Sequence, residues 1–147
     1  EGARVQASLR NDRAGDSDTA TVPGEILLLR GEHDAALRQF ESVPDDAARA
    51  YGLALVHHAQ GRRREADAAL ARLQALAADT DPFLLAEVHA QRGEVQQALE
   101  SLERARPSED PRRRAQAGDP PWLMAASPFL APLRGDPRWP DWLTRRE

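Results

Sequence analysis

Cysteine is absent from the 147-residue chain, so a structural disulfide, an iron–sulfur cluster and a thiol nucleophile are excluded. Lysine is absent as well, and all twenty basic residues are arginine. Arginine grips phosphate and carboxylate in bidentate fashion, so this usage admits anion forks beside the plainer reading of a compositional bias toward alanine and arginine. Aromatics are scarce, with three Phe, three Trp and one Tyr, and β-branched residues are few, which leaves little material for stacked sheets. No run of eighteen apolar residues and no charged-then-apolar leader occurs. The sequence as given therefore carries neither a membrane span nor a signal peptide. A net charge of −4 and a pI near 5.6 supply no basic field for a phosphate backbone, which sets nucleic acid aside. The compartment stays open, with the cytoplasm favoured. The start at Glu1 without a methionine suggests a piece of a longer chain.

Alanine is what the chain has in plenty. With 27 alanines and 41% hydrophobic residues, the composition favours helices packed closely through small side chains. The length suits one compact domain whose core needs no metal or disulfide.

Three similar windows centre on a glycine: Gly31 followed by Ala36, Gly61 by Ala66, and Gly93 by Ala98, at an offset of five each time. Four residues beyond each alanine stand Phe40, Leu70 and Leu102, and three further stand Val43, Leu73 and Ala105. The second half of each window thus presents an apolar face at helical spacing. Upstream, Leu53-Ala54 and His57 match Leu85-Ala86 and His89, and the glycines are separated by 61 − 31 = 30 and 93 − 61 = 32 residues. Each unit reads helix, tight turn, helix, with the glycine closing the first helix in the left-handed conformation.

These residues resemble the tetratricopeptide repeat, with Ala50, Leu53-Ala54, His57, Ala66 and Leu70 in one unit. Pro82, Leu85-Ala86, His89, Ala98 and Leu102 carry the resemblance in the next. The Trp positions of the family pattern are small or Pro, the Tyr positions are His, and the links between units are short. The stretch from Ser127 to Trp139 is similar to the tail that closes many bacterial tetratricopeptide proteins, large modular regulators among them. The resemblance implies an all-α fold: antiparallel helix pairs stacked as a short right-handed superhelix, with a C-terminal capping helix.

The organisation follows from this. Residues 1–21 form an N-terminal segment, with a short helix around Val5 to Leu9, as the remnant of an upstream repeat. Residues 22–106 hold three helix pairs, at 22–44, 47–78 and 81–106. In the first, Val22-Pro23-Gly24 falls where a helix should be under way and leaves Ile26 to Leu29 as a turn or two. Residues 107–118 form an inserted loop and 119–147 an aromatic cap. There, Asp136-Pro137 signals a final helix from Pro137 to Arg145. The cap acts as a lid on the uncovered side of the last helix.

Candidate sites are few. His57 and His89 occupy equivalent positions and could hold a metal with Glu87, or serve acid–base chemistry. The plainer reading is that each replaces the packed Tyr of the family and makes one hydrogen bond in the core. No serine sits in a nucleophile elbow, and no glycine-rich phosphate cradle occurs. Hence no catalytic residue, no metal and no cofactor is assigned. Asp45-Asp46 reads as a turn. Arg62, Arg63 and Arg64 begin a second helix and form an anion-patch candidate or a solvated surface, as do Arg112 to Arg114 in the loop.

By the resemblance, first helices line a concave groove, which places Tyr51, Leu55, His58, Phe83, Glu87 and Gln91 along it. Two exposed aromatics with an aliphatic and polar groups suit a peptide or protein segment with apolar anchors. The family's clamp for a terminal carboxylate uses Lys and Asn, which these positions lack. The leading expectation is a protein-interaction module within a larger bacterial regulatory or multidomain protein, without nucleic acid or membrane as partner. The alternative is a structural or oligomerisation domain that packs on its parent chain or forms a homodimer. An enzyme using His57 and His89 comes last.

Overall fold

A computed structural model describes residues 20–78, 80–106 and 124–143, and every regular element among them is helical. We number the helices α1 (Val22–Leu29), α2 (His33–Glu41), α3 (Asp46–Ala59), α4 (Arg63–Ala77), α5 (Pro82–Gln91) and α6 (Val95–Ala105). Two 3-10 segments follow, Pro128–Leu133 and Asp141–Leu143. The expected helix around Val5, the loop at 107–118 with Arg112 to Arg114, and the ends of the cap lie outside the described residues. The chain divides into two compact units, Glu1–Arg72 and Leu73–Glu147.

Three turns repeat in backbone detail. Gly31, Gly61 and Gly93 take φ of +80°, +74° and +77°, the left-handed region that costs a side-chain-bearing residue about 1–2 kcal/mol. In each, the glycine N–H donates to a carbonyl three residues back: Leu28, His58 and Ala90, at 3.0, 3.0 and 3.1 Å. The next N–H, of Glu32, Arg62 or Glu94, donates five residues back to Leu27, His57 or His89 at 2.9 Å. These paired bonds satisfy the last carbonyls of one helix by the Schellman arrangement. The carbonyl of that same residue then accepts from Ala36, Ala66 or Ala98 and opens the following helix. Helix α3 starts on Asp45, whose carboxylate accepts from the Ala48 N–H at 2.8 Å, so this acid is an N-cap rather than a bare turn residue.

Within the first unit, Phe40 of α2 sits fully buried with Ala36 and Val56, against Leu27, Leu28, Leu37 and Leu53. Its ring lies over two glycine backbones. A Cβ on Gly24 would come 2.7 Å from Phe40 Cε1, and one on Gly52 would clash more severely with Phe40 Cδ1 and Cγ. Gly24 is therefore a contact residue in a helix that runs from Val22, not the break that Pro-Gly suggested. Pro23 is tolerated because it stands in the first turn, where its missing N–H has no helical partner.

The second unit has a broader core. Ala86 and Ala90 of α5 and Ala98, Leu99 and Leu102 of α6 are buried with Met124, Leu130, Leu133, Trp142 and Leu143 from the cap. The described part of the cap does not take the expected shape of a final helix. In place of a helix from Pro137, Asp136 accepts from the Arg138 N–H at 2.8 Å and caps a tight turn. Pro140 then lacks the N–H that a helix would need, and only Asp141–Leu143 form a turn of 3-10 helix. The longer 3-10 segment begins earlier, at Ser127-Pro128, where Ser127 Oγ accepts from the Phe129 N–H at 3.3 Å.

Candidate functional site

The residues expected along an open groove are largely internal. Tyr51 is 1% exposed and Leu55 2%. The Tyr51 hydroxyl donates to Glu25 Oε1 on α1 at 2.9 Å, so Tyr51 ties two first helices together instead of offering a free aromatic face. Phe83 is half-buried against the core of the second unit, and Glu87 is 5% exposed. Among these positions His58 alone is exposed to the degree that a binding surface needs.

The chain's own cap explains why the α5 face is taken. Ser127 Oγ donates to Glu87 Oε2 at 2.8 Å, and Gln91 Nε2 donates to the Phe129 carbonyl at 3.0 Å. The two α5 polar side chains expected to meet a partner peptide, Glu87 and Gln91, thus hold a segment of this chain. On α6, Trp142 Nε1 donates to Glu103 Oε1 at 3.3 Å, and Arg138 Nη1 donates to Gln96 Oε1 at 2.9 Å. The sequence predicts an apolar lid on the last helix, but it does not single out the polar links from Ser127, Arg138, the Phe129 carbonyl and the Trp142 indole to α5 and α6. The legible signal was Ser127-Pro128, a cap followed by proline, the same pattern that drew attention to Asp136-Pro137.

The equivalent histidines differ in their partners. His89 is 6% exposed, and its Nδ1 lies 2.8 Å from Glu94 Oε1. The same oxygen accepts from Arg92 Nε at 2.9 Å. Partial burial works against the charge on Glu94, but the hydrogen bonds from His89 and Arg92 and the Arg92 charge outweigh it. The Glu94 carboxyl accordingly titrates below its ordinary 4.5. His57 holds the same register in the preceding turn, where the residue five positions on is Arg62, a donor only. Its Nδ1 is buried without a hydrogen-bond partner, as is Gln60 Oε1.

Arg62, Arg63 and Arg64 are exposed and, among the described residues, make no ion pair; they stand as a solvated start to α4. Among the described residues, no group of three or more His, Asp and Glu side chains is placed to hold a metal ion. No helix among them is long and apolar enough to cross a membrane. No family model, curated protein or solved structure matches the chain.

Proposed function

We propose that this chain is a protein-interaction module: a tetratricopeptide-like stack of helical hairpins that binds a peptide or protein segment, within a larger bacterial regulatory or multidomain protein. The observation that carries the reading is the recurrence of one helix–turn–helix unit. Three glycines share a left-handed conformation and one hydrogen-bond pattern, and Ala36, Ala54, Ala66, Ala86 and Ala98 are each 0% exposed. Units of this kind are held by neighbour-to-neighbour packing and leave helix surfaces for partners. The burial of Tyr51 and the cap on Glu87 and Gln91 move the binding surface away from the groove positions first considered. Selection of peptides from helical and extended libraries against the full chain tests the proposal. The expected result is a micromolar ligand whose addition shifts backbone resonances of the hairpins. A folded, monodisperse chain that selects no peptide from either library would sink it.

A structural or oligomerisation role is the second reading, favoured by the self-occupied α5 face. It expects a concentration-dependent mass in sedimentation.

A further inference from the structure

The three glycine turns differ in the residue that follows the glycine. In the first and third it is an acid, Glu32 or Glu94, placed immediately before α2 or α6, where the helix dipole favours negative charge. Glu94 shows what an acid does there: its Oε1 accepts from Arg92 Nε at 2.9 Å and lies 2.8 Å from His89 Nδ1. In the second turn the same place holds Arg62, and Arg63 and Arg64 open α4 behind it. Three cations thus stand at the positive pole of a 15-residue helix, with Glu65 as the acid of its first turn. All three are exposed, and among the described residues they make no ion pair. The buried side-chain atoms left without a hydrogen-bond partner among the described residues, His57 Nδ1 and Gln60 Oε1, belong to this same turn. A local rule kept in two repeats and broken in the third, at a cost to the helix, marks a position that serves something other than the fold.

We propose that the start of α4 is a docking site for an acidic segment of a partner protein, which brings to Arg62, Arg63 and Arg64 the carboxylates that Glu32 and Glu94 supply in the neighbouring turns. Carboxylate is the favoured anion because the chain's own counterpart of the site holds one, Glu94 beside His89 and Arg92. The net charge of −4 opposes a long polyanion such as nucleic acid or an anionic membrane. A short segment is different, because at a Debye length of about 10 Å it responds mainly to the three nearby arginines. Guanidinium groups hold carboxylates through parallel N–H donors. Arg62 itself cannot accept, so it leaves the first backbone N–H groups of α4 as further donors at the same place. At roughly 100° per residue, three consecutive side chains fan over more than half of the helix end. The segment that meets all three therefore crosses the end of α4, with two or three acids, and does not run along its side. The nearby acid Asp34 is already engaged, accepting from Gln60 Nε2 at 3.2 Å. This inference rests on the interaction-module reading and gives it a partner chemistry.

The probe is an end-capped peptide of four glutamates among alanines, with its glutamine counterpart, titrated at low salt into the isotope-labelled full chain. The glutamate peptide should bind with a dissociation constant below about 1 mM. Its largest shifts should fall on the amides from Gly61 to Glu65 and on the arginine side-chain N–H groups. The glutamine peptide should bind at least about ten-fold more weakly, and added salt should weaken the glutamate peptide toward it. Arg62→Glu should weaken the glutamate peptide about ten-fold or more while making the chain harder to unfold, so the loss cannot come from a damaged fold. Replacing Arg112, Arg113 and Arg114 together by glutamine removes more positive charge, yet should leave binding within about two-fold. If that triple variant weakens binding as much as Arg62→Glu, the attraction belongs to the chain's charge in general and the proposal falls. It also falls if the two peptides bind alike, or if neither binds. A uridylate oligomer or phosphatidylglycerol vesicles held more tightly by the same arginines overturn it, as do shifts at Gly61 to Glu65 that grow with protein concentration alone. If library-selected peptides bind and Arg62→Glu leaves them untouched, the interaction-module reading survives and only the acidic partner at α4 is lost.

Discussion

The second and third hairpins turn on the same backbone, yet they treat the same side chain in opposite ways. Both glycines are left-handed, both first helices end on a histidine carbonyl held by the residue after the glycine, and both histidines sit at the same register. In the third turn that following residue is Glu94, an acceptor within 2.8 Å of His89 Nδ1. In the second it is Arg62, and His57 Nδ1 is left buried and unpaired. The difference teaches that a repeat is conserved in its backbone solution before its side-chain chemistry. A polar position inherited by two units is satisfied in one and carried at a cost in the other.

The first unit and the second unit also differ in how their cores are closed, and this supplies the largest expected effect. Phe40→Ala removes the ring that rests on two helices, and urea unfolding should show a loss of about 3–5 kcal/mol, as for a buried Phe cut to Ala. A loss below about 1 kcal/mol would mean that the glycine-floored contact contributes little. Gly52→Ala adds a single methyl at the same contact, and overpacking there should cost about 1–3 kcal/mol. At the turns, Gly61→Ala and Gly93→Ala meet no neighbouring atom. Their penalty of about 1 kcal/mol should come from the left-handed φ alone, with Asn in place of Ala recovering part of it. Equal penalties at the two turns support one shared backbone solution.

The histidine pair gives the smaller effects. Glu94→Gln should cost about 0.5–1 kcal/mol at neutral pH, toward the low end because a third of the carboxylate side chain meets solvent. The sign with pH follows from the direction of the Glu94 shift. A carboxyl whose value is lowered on folding contributes fully above its ordinary 4.5, and that contribution is lost as pH falls through the lowered value. The stability gap between the wild type and Glu94→Gln should therefore close in acid, and a gap constant down to pH 3 would show that the pairing contributes nothing. Arg62→Glu is the mirror experiment. It puts a carboxylate five residues from His57, where Glu94 stands from His89, and should raise stability by about 0.5 kcal/mol by satisfying the buried Nδ1.

The hairpins were legible because a glycine that must take positive φ and an alanine five residues on recur in fixed register, and both are local constraints. Gly24 was misread for the same reason. Pro-Gly is a strong local break signal, yet Gly24 stands twelve residues before Ala36, the spacing of Ala54 from Ala66 and of Ala86 from Ala98. Register outweighed propensity. The cap's composition was legible, but its fold was not, because Pro140 cuts the helix that Asp136-Pro137 appeared to start. The occupied α5 face lay furthest from reach. Glu87 meets Ser127 and Gln91 meets Phe129 across 40 and 38 residues, and no local pattern in either segment encodes that pairing.

Phe40 has a further consequence for how the first unit comes apart. Helix α1 has only eight residues, too few to hold as a helix by itself. Its Gly24 shares a single ring with Gly52 of α3. Lifting α1 exposes one face of that ring and removes the wall that keeps it seated on α3, so fraying at this end is transmitted two helices inward. The unit behaves less like a chain of hairpins released one at a time than like an arch on a common keystone: α1, α2 and α3 gain or lose hydrogen-exchange protection together.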